Sequence, residues 1–355
     1  MSSLIKDKPT RRSKKSNIIL FGSLIFILIL ISFVNILTGT VSISISELFR
    51  ILLNNDPHHP EWIRIIYDFR LPRLITAVLA GSALSVSGLQ MQTLFRNPLA
   101  GPYVLGISAG ASLGVAILVM GFSGIFVFNG MNITGNWILV VFAWIGSGMV
   151  LLIIFFVSLR VKDIMTILIL GILLGSAITA IVAIMQFFSN EAMLKTFIVW
   201  TMGSLSGVTK SQLSVMVPGL VVGLVIALAT GKILNVMQLG ELYAESLGLR
   251  LKPARLIIFF STSLLAGTIT AFCGPIGFIG IAVPHIARLL FKTANQHVLL
   301  WGSLIIGSIV LVGADIISNL NTSYGNIPIN SVTALIGIPV VIYLIVKNQR
   351  LSSML

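Results

Sequence analysis

The sequence has very few of the residues on which covalent chemistry depends. Its 355 residues include one cysteine, Cys273, so a disulfide within the chain is excluded and we expect a packing role for this thiol. Only 9% of the residues are charged, against about 25% in soluble proteins, so a separate soluble domain is also excluded. The chain contains no nucleotide-binding loop, zinc-protease motif or nucleophile elbow. These absences predict a chain that is not an enzyme and has no catalytic residue or metal site.

Acidic residues are also scarce: ten of them, against 23 lysines and arginines, give a net charge of +13. Six of the basic residues lie in the first 15 positions, which predicts a cytoplasmic N-terminus that touches anionic lipid headgroups. Membrane topology accounts for the positive charge, so we expect no nucleic acid partner. We divide the chain into a basic cytoplasmic tail over 1–16, a single membrane domain over 17–346 and a cytoplasmic C-terminal tail over 347–355.

Long apolar runs fill most of the chain, which is 56% hydrophobic and has a mean hydropathy of +1.05. A helix needs about 20 apolar residues to cross a bilayer. We therefore predict an all-α integral membrane protein with about ten transmembrane helices, the eighth of which is short. The candidate spans are 17–38, 71–95, 103–121, 137–158, 164–188, 212–230, 256–273, 280–291, 297–319 and 330–346.

The distribution of positive charge predicts the orientation of these spans. With both termini inside, 17 of the 23 basic residues lie on the cytoplasmic side, in agreement with the positive-inside rule. Outside, we expect a long loop over 39–70 with a surface helix at 46–52, and an interfacial helix within 191–207. The adjacent His58 and His59 in the first loop lack further ligands, so we expect no metal there.

The 32 glycines predict close contacts between helices, because small residues spaced three or four apart let membrane helices approach each other. Gly81 with Gly88, and the segment 106–111, have this spacing. We expect these positions to lie in the contacts of a compact bundle.

Ionisable residues within the candidate spans are functional suspects, and there are few of them. Asp315 lies late in the ninth span, and His285 and Arg288 lie at the inner end of the eighth. Two roles stay open for Asp315, a proton relay or a packing and capping residue. An ion-coupled secondary transporter, with Asp315 or His285 as its coupling residue, is therefore an alternative class.

One charged segment, residues 240–249, lies between two apolar spans in the C-terminal half. It contains Glu241 and Glu245 and is followed by Arg250, Lys252 and Arg255. A short charged segment in such a chain indicates a docking site for another protein. Since the sequence holds no energy source of its own, we predict that this segment is the site on which a partner ATPase acts.

Three parts of the sequence together resemble one known family. They are residues 70–73 with 87–100 and 105–111, then 239–249, and then 274–288. They are similar to the FecCD-type permeases, the membrane subunits of bacterial ABC importers for iron-siderophores, heme and vitamin B12. The resemblance extends from about residue 17 to the C-terminus. It implies the type II ABC importer permease fold, a place in the bacterial cytoplasmic membrane with both termini in the cytoplasm, and a second permease copy or paralogue.

The resemblance also implies partners and site residues. Arg70 and Arg73 would dock a periplasmic or lipid-anchored substrate-binding protein, and Asn97, Pro98 and Leu99 would form part of the cytoplasmic gate. The residues expected to couple to the ABC ATPase subunit are Gly240, Glu241, Ala244, Glu245, Leu247, Gly248, Pro284, His285 and Arg288. ATP and Mg would bind to that ATPase, with no cofactor in this chain.

Iron-siderophore is the substrate that the resemblance favours, with cobalamin or heme as alternatives for the same machinery. Two positions depart from the family pattern. Asn319 stands where many members carry arginine, which removes the basis for a third outer salt bridge, and Asn330 stands where they carry glycine.

Overall fold

The computed structural model describes residues 14–39, 41, 43–53, 60–121, 137–161, 163–320 and 327–352. Every regular element in these ranges is helical. The helices are α1 (Lys14–Leu37), α2 (Ile45–Leu52), α3 (Glu61–Arg64), α4 (Leu71–Leu94), α5 (Ile107–Ala116), α6 (Trp137–Arg160), α7 (Ile164–Phe187), α8 (Glu191–Thr201), α9 (Lys210–Ala229), α10 (Gly231–Met237), α11 (Glu241–Ser246), α12 (Leu251–Cys273), α13 (Ile279–Phe291), α14 (Gln296–Ser318) and α15 (Ile329–Ser352). Most of the basic tail, and His58 with His59, lie outside the described residues.

The predicted all-α membrane architecture is confirmed. Seven helical segments in the described ranges are long and apolar enough to cross a bilayer. Three shorter apolar helices, Ile107–Gly121, Ile279–Phe291 and Ile329–Tyr343, coincide with the third, eighth and tenth predicted spans. The surface helix expected at 46–52 is α2, and the helix expected within 191–207 is α8.

The predicted first outer loop is wrong at its C-terminal end. Residues 61–94 form one continuous helical rod, in which a π-helical turn, Ile65–Arg70, joins α3 to α4. Arg70 and Arg73 therefore lie inside a long helix, not at the beginning of one. We placed the start of this span at residue 71 because the residues before it are more polar. The helix nevertheless includes these polar residues and begins ten positions earlier, at Glu61.

The bundle has two ends, which we name for the residues found there. The Pro98 end contains the turn after α4 together with α10 and α11, and the Asp315 end contains the last turn of α14. Helix α4 runs from the Asp315 end to the Pro98 end, and α14 packs on it in the opposite direction. Ser85 donates to the carbonyl of Ser303 (2.7 Å) and Ser308 to that of Val78 (2.9 Å), so hydroxyls bond across this contact.

The small residues predicted to lie in helix contacts do so. A methyl group added at Gly81 would overlap the carbonyl of Gly307, and one added at Gly88 would overlap that of Gly280. Gly110 on α5 meets Gly146 on α6 in the same manner. Because lipid tails are as apolar as leucine, such close packing is a main source of helix association in membranes.

The short eighth span begins inside the bundle. With 13 residues, α13 is only about 20 Å long, against roughly 30 Å for the hydrocarbon core. The irregular segment before it has its backbone satisfied by protein groups, as a non-aqueous environment requires. Cys273 accepts from the amide of Ser204 (2.8 Å), and Gly277 donates to the side chain of Asn330 (2.9 Å). The departure at Asn330 therefore has a defined structural role.

A buried polar cluster joins three helices near the Pro98 end. The amide of Gln90, which is fully buried on α4, donates to Thr230 and accepts from Ser261 and Thr262, at 3.0–3.1 Å. Thr230 lies at the junction of α9 and α10. Since all three bonds of Gln90 stay inside the protein, the cluster fixes the position of this junction against α4 and α12.

Candidate functional site

The candidate site at the Pro98 end begins with the charged segment that the sequence singled out. Gly240 and Gly248 both have positive φ angles, +109° and +84°, which favour glycine. Gly248 donates to the carbonyl of Glu245 (2.9 Å) and Leu249 to that of Ala244 (3.0 Å), the two bonds of a Schellman motif. The glycines thus delimit α11 and turn the chain back towards α12.

Helix α11 presents an apolar surface with one acid beside it. The side chains of Leu242, Tyr243 and Leu247 are 87%, 57% and 57% exposed, whereas Ala244 is fully buried against the bundle. Glu245 is exposed on the same helix. Large apolar side chains on a short exposed helix are typical of a protein docking surface. We call Leu242, Tyr243, Glu245 and Leu247 the α11 docking face.

Glu241 is partly buried and points to the bundle, so we leave it out of this docking face. Its carboxylate forms an ion pair with Arg255 (2.5 Å), and Arg255 is 4% exposed within α12. The pair therefore connects the first turn of α11 directly to a membrane-spanning helix.

A second set of bonds connects the residues just before this segment to α14, and α14 to α4. Gln238 accepts from the side chain of Gln296 (2.9 Å), and Asn235 on α10 accepts from the backbone amide of Gln296 (2.8 Å). The same glutamine accepts from Thr93 on α4 (3.3 Å). Sequence reasoning missed Gln238 and Gln296, because neutral amides give no charge signal.

The predicted gate residues form a tight turn after α4. The side chain of Asn97 accepts from the amide of Leu99 (2.9 Å), and its carbonyl accepts from Ala100 (3.1 Å). Leu99 is 45% exposed. Arg96 adopts a left-handed φ of +48°, and its guanidinium lies beside Gly240. The gate turn and the coupling segment are therefore neighbours.

The predicted coupling residues on α13 meet the same turn. A ring nitrogen of His285 hydrogen-bonds the carbonyl of Pro98 (2.8 Å), and Arg288 donates to the side chain of Gln92 (2.6 Å). Gln92 in turn donates to the carbonyl of Ile281 (3.0 Å). Helix α13 is thus bonded at three points to the end of α4 and the turn after it, and Pro284 on α13 is buried.

At the Asp315 end, the most deeply buried acid of the described residues is paired. Asp315 is 1% exposed and forms an ion pair with Arg73 (2.8 Å), while the side chain of Asn35 donates to it at 2.9 Å. Asn319 also donates to this carboxylate (3.3 Å). The arrangement matches the packing role for Asp315, and Asn319 completes it.

Arg70 is buried and bonds to backbone carbonyls near the end of α1. It is 8% exposed, and its guanidinium donates to the carbonyls of Ile36 (2.5 Å), Leu37 (3.1 Å) and Val41. These bonds satisfy backbone groups left open where α1 ends. A docking role for Arg70 and Arg73 stays a prediction. To bind an acidic group of another protein, Arg70 would have to share or give up these carbonyls, and Arg73 would have to share or give up Asp315.

An open groove of about 680 Å³ lies between α5, α7 and α8. Its lining includes hydroxyls from Ser108 and Ser112 on α5 and from Ser176 and Thr179 on α7. Among the described residues, none of those lining the groove is charged. The groove has the size of a site for a small organic molecule and was not identified from the sequence.

Comparisons with known proteins agree with this arrangement. A solved structure described as a metal-chelate type ABC transporter in an inward-facing conformation is 26% identical, covers 92% of this chain and 99% of its own, and has a TM-score of 0.80. The hemin transport system permease HmuU of Yersinia pestis is 32% identical over 94% of this chain and 97% of its own. The vitamin B12 import permease BtuC of Klebsiella pneumoniae is 35% identical over 81% and 86%.

The family resemblance noted in the sequence is thereby confirmed over almost the whole chain. The model of the FecCD transport family matches residues 25–347. This chain belongs to the FecCD transport family and is the permease subunit of an ABC importer.

Proposed function

We propose that this permease carries an iron-siderophore chelate across the bacterial cytoplasmic membrane, with the energy supplied by a separate ATPase. The uncharged groove beside α7 carries the proposal, because it offers hydrogen bonds to a metal chelate without holding it firmly. The similar solved structure is described as a metal-chelate type transporter. Heme and cobalamin, named for HmuU and BtuC, are the alternative cargoes.

In this proposal the Pro98 end faces the cytoplasm and the Asp315 end faces outwards. The ATPase docks on the α11 docking face and holds ATP and Mg, while a substrate-binding protein docks at the Asp315 end. A second copy of this chain, or a paralogue, completes the pathway. Both termini are cytoplasmic, and the basic tail contacts lipid headgroups.

The mechanism follows from the bonds at the Pro98 end. Closure of the ATPase displaces α11, and the Glu241–Arg255 pair carries this displacement into α12. The bonds of Gln296 transmit it to α14 and α4, and the bond between His285 and Pro98 carries it to the gate turn. Binding of ATP thus favours one of two arrangements of packed helices.

The direct test is co-purification of this chain in mild detergent with the ABC ATPase encoded nearby, followed by mass measurement of the complex. We expect two copies of the ATPase bound to two permease chains, and ATP-dependent uptake of an iron chelate after reconstitution with the binding protein. A stable assembly without ATPase, capable of uptake, would instead support an ion-coupled carrier.

The ion-coupled alternative gives a separate prediction. Since Asp315 is paired with Arg73 and His285 with the Pro98 carbonyl, neither is expected to carry a transported proton. ATP-dependent uptake into proteoliposomes should therefore persist when a protonophore abolishes the pH gradient. It should also persist in Asp315→Asn at a temperature where this variant is folded, whereas His285→Gln should lower it only as far as the bond to the Pro98 carbonyl is weakened. Loss of uptake with the gradient, or in Asp315→Asn with ATPase activity intact, would favour ion coupling.

Docking at the Asp315 end is tested by charge. We expect Arg70→Glu combined with Arg73→Glu to weaken affinity for the binding protein by about tenfold or more at low salt, where rim charges are least screened. Arg73→Glu also leaves the buried Asp315 without its cationic partner. The control is therefore Arg73→Gln combined with Asp315→Asn, which removes the charge of Arg73 and leaves no buried acid unpaired. Unchanged affinity in both, by surface plasmon resonance at low salt, would exclude these arginines from docking.

A further inference from the structure

The residues that line the groove between α5, α7 and α8 also indicate which charge a cargo can have. It is lined by hydroxyls from both long walls, with the side chain of Gln186 further along α7. None of the described residues that line it is acidic or basic. A charged group at membrane depth is costly unless it is paired, so this lining gives an anionic cargo no compensation.

The two walls offer complementary hydrogen-bonding groups. On α7, Ser176 and Thr179 donate to the carbonyls of Ile172 (3.0 Å) and Gly175 (2.8 Å), so their oxygens are left to accept. On α5, Ser108 and Ser112 lie one helical turn apart, and within the described residues the structure gives their hydroxyls no partner. These are available to donate.

Glycines open the groove where the two walls approach. Gly106 lies against Gly171 and Gly175, so the backbones themselves border the space. A cargo can therefore slide along hydroxyls and backbone without large side chains to displace. Such contacts are individually weak, which suits a pathway that must release its ligand.

We propose that this groove selects an uncharged, hydrogen-bonding metal chelate, rich in amide, hydroxyl or hydroxamate groups. The inference rests on the proposed function and deepens it. It disfavours an iron porphyrin with two ionised propionates and a triply anionic iron tris-catecholate as cargo. Two sources supply the favoured chemistry, a ferric hydroxamate and a corrinoid, and the experiment separates them.

The test uses the complete complex with ATPase and binding protein in proteoliposomes. Four probes are offered: a neutral ferric tris-hydroxamate, cobalamin, hemin and a ferric tris-catecholate. We expect ATP-driven uptake of one of the first two. In Ser112→Asp and in Ser112→Lys, that uptake should fall by a similar factor, about tenfold or more. The reason is that the groove offers no partner to a negative or to a positive side chain. Ser112→Asn, which matches aspartate in size, should lower it far less.

A labelling experiment tests the groove independently of transport. Ser112→Cys should react with a polar, uncharged thiol reagent, whereas Ile145→Cys should not. Ile145 precedes Gly146, which contacts Gly110, so it lies at similar depth but outside the groove lining. The wild type is the blank, because its one cysteine, Cys273, is buried.

The possible failures are distinct. ATP-driven uptake of hemin or of the tris-catecholate, or uptake that survives Ser112→Lys but not Ser112→Asp, would overturn the inference and leave the importer intact. A complex that hydrolyses ATP but transports none of the four probes, or an unreactive Ser112→Cys, would also overturn it. If no ATPase joins the chain and uptake needs no ATP, the proposed function itself fails.

Discussion

Replacing Glu241 and Glu245 together by arginine is expected to uncouple ATP hydrolysis from uptake. Arg255, which is 4% exposed, would lose the carboxylate of Glu241 and face a second guanidinium, a change that costs about 3–5 kcal/mol for a buried pair. The connection between α11 and α12 would open. Uptake into proteoliposomes should fall by about tenfold or more, while the assembled ATPase continues to hydrolyse ATP.

Three matched variants show which of the two acids is responsible for the loss of uptake. Glu245→Arg alone changes only the exposed acid, so it should weaken ATPase docking without opening the α12 connection. Glu241→Arg alone should leave docking and reduce uptake. Glu241→Arg with Arg255→Glu reverses the pair and should recover part of the loss. Normal uptake per ATP in the first double variant would refute the coupling role of this segment.

Local features of the site could be predicted from the sequence, because they depend on neighbouring residues. A proline directly after Asn97, beyond the apolar run, favours a turn at this position, and glycines at 240 and 248 mark the two ends of a short element. The charged segment between them stood out against the apolar background. The structure adds that its two acids differ: Glu245 is exposed, whereas Glu241 is partly buried and paired with the buried Arg255.

Contacts between distant residues could not be predicted in the same way. Asp315 and Arg73 are separated by 242 positions, and nothing in one sequence pairs them. The same holds for Gln90 with Thr230 and for Gln296 with Gln238. The position of Arg70 within its helix was also not predicted, because the rod from Glu61 to Leu94 begins before the apolar run that marks a span.

The contact between α4 and α13 gives the second large prediction. Gly88→Ala should strongly destabilise the protein, because the added methyl overlaps the carbonyl of Gly280 and backbone cannot move aside as a flexible side chain can. Overpacking of this kind costs about 1–3 kcal/mol or more. The measurement is the thermal midpoint of the purified protein in detergent, together with uptake by the reconstituted complex.

The matched control for this substitution is Gly148→Ala on α6, where an added methyl meets nothing within 4 Å. Its thermal midpoint should stay the same or rise, since alanine favours a helix over glycine. Helix α13 begins at Ile279 and carries His285, which holds the gate turn at Pro98. A shift of α13 away from α4 should therefore reduce uptake even at temperatures where Gly88→Ala is folded. If Gly88→Ala and Gly148→Ala have equal midpoints and equal uptake, the gate does not depend on this close contact.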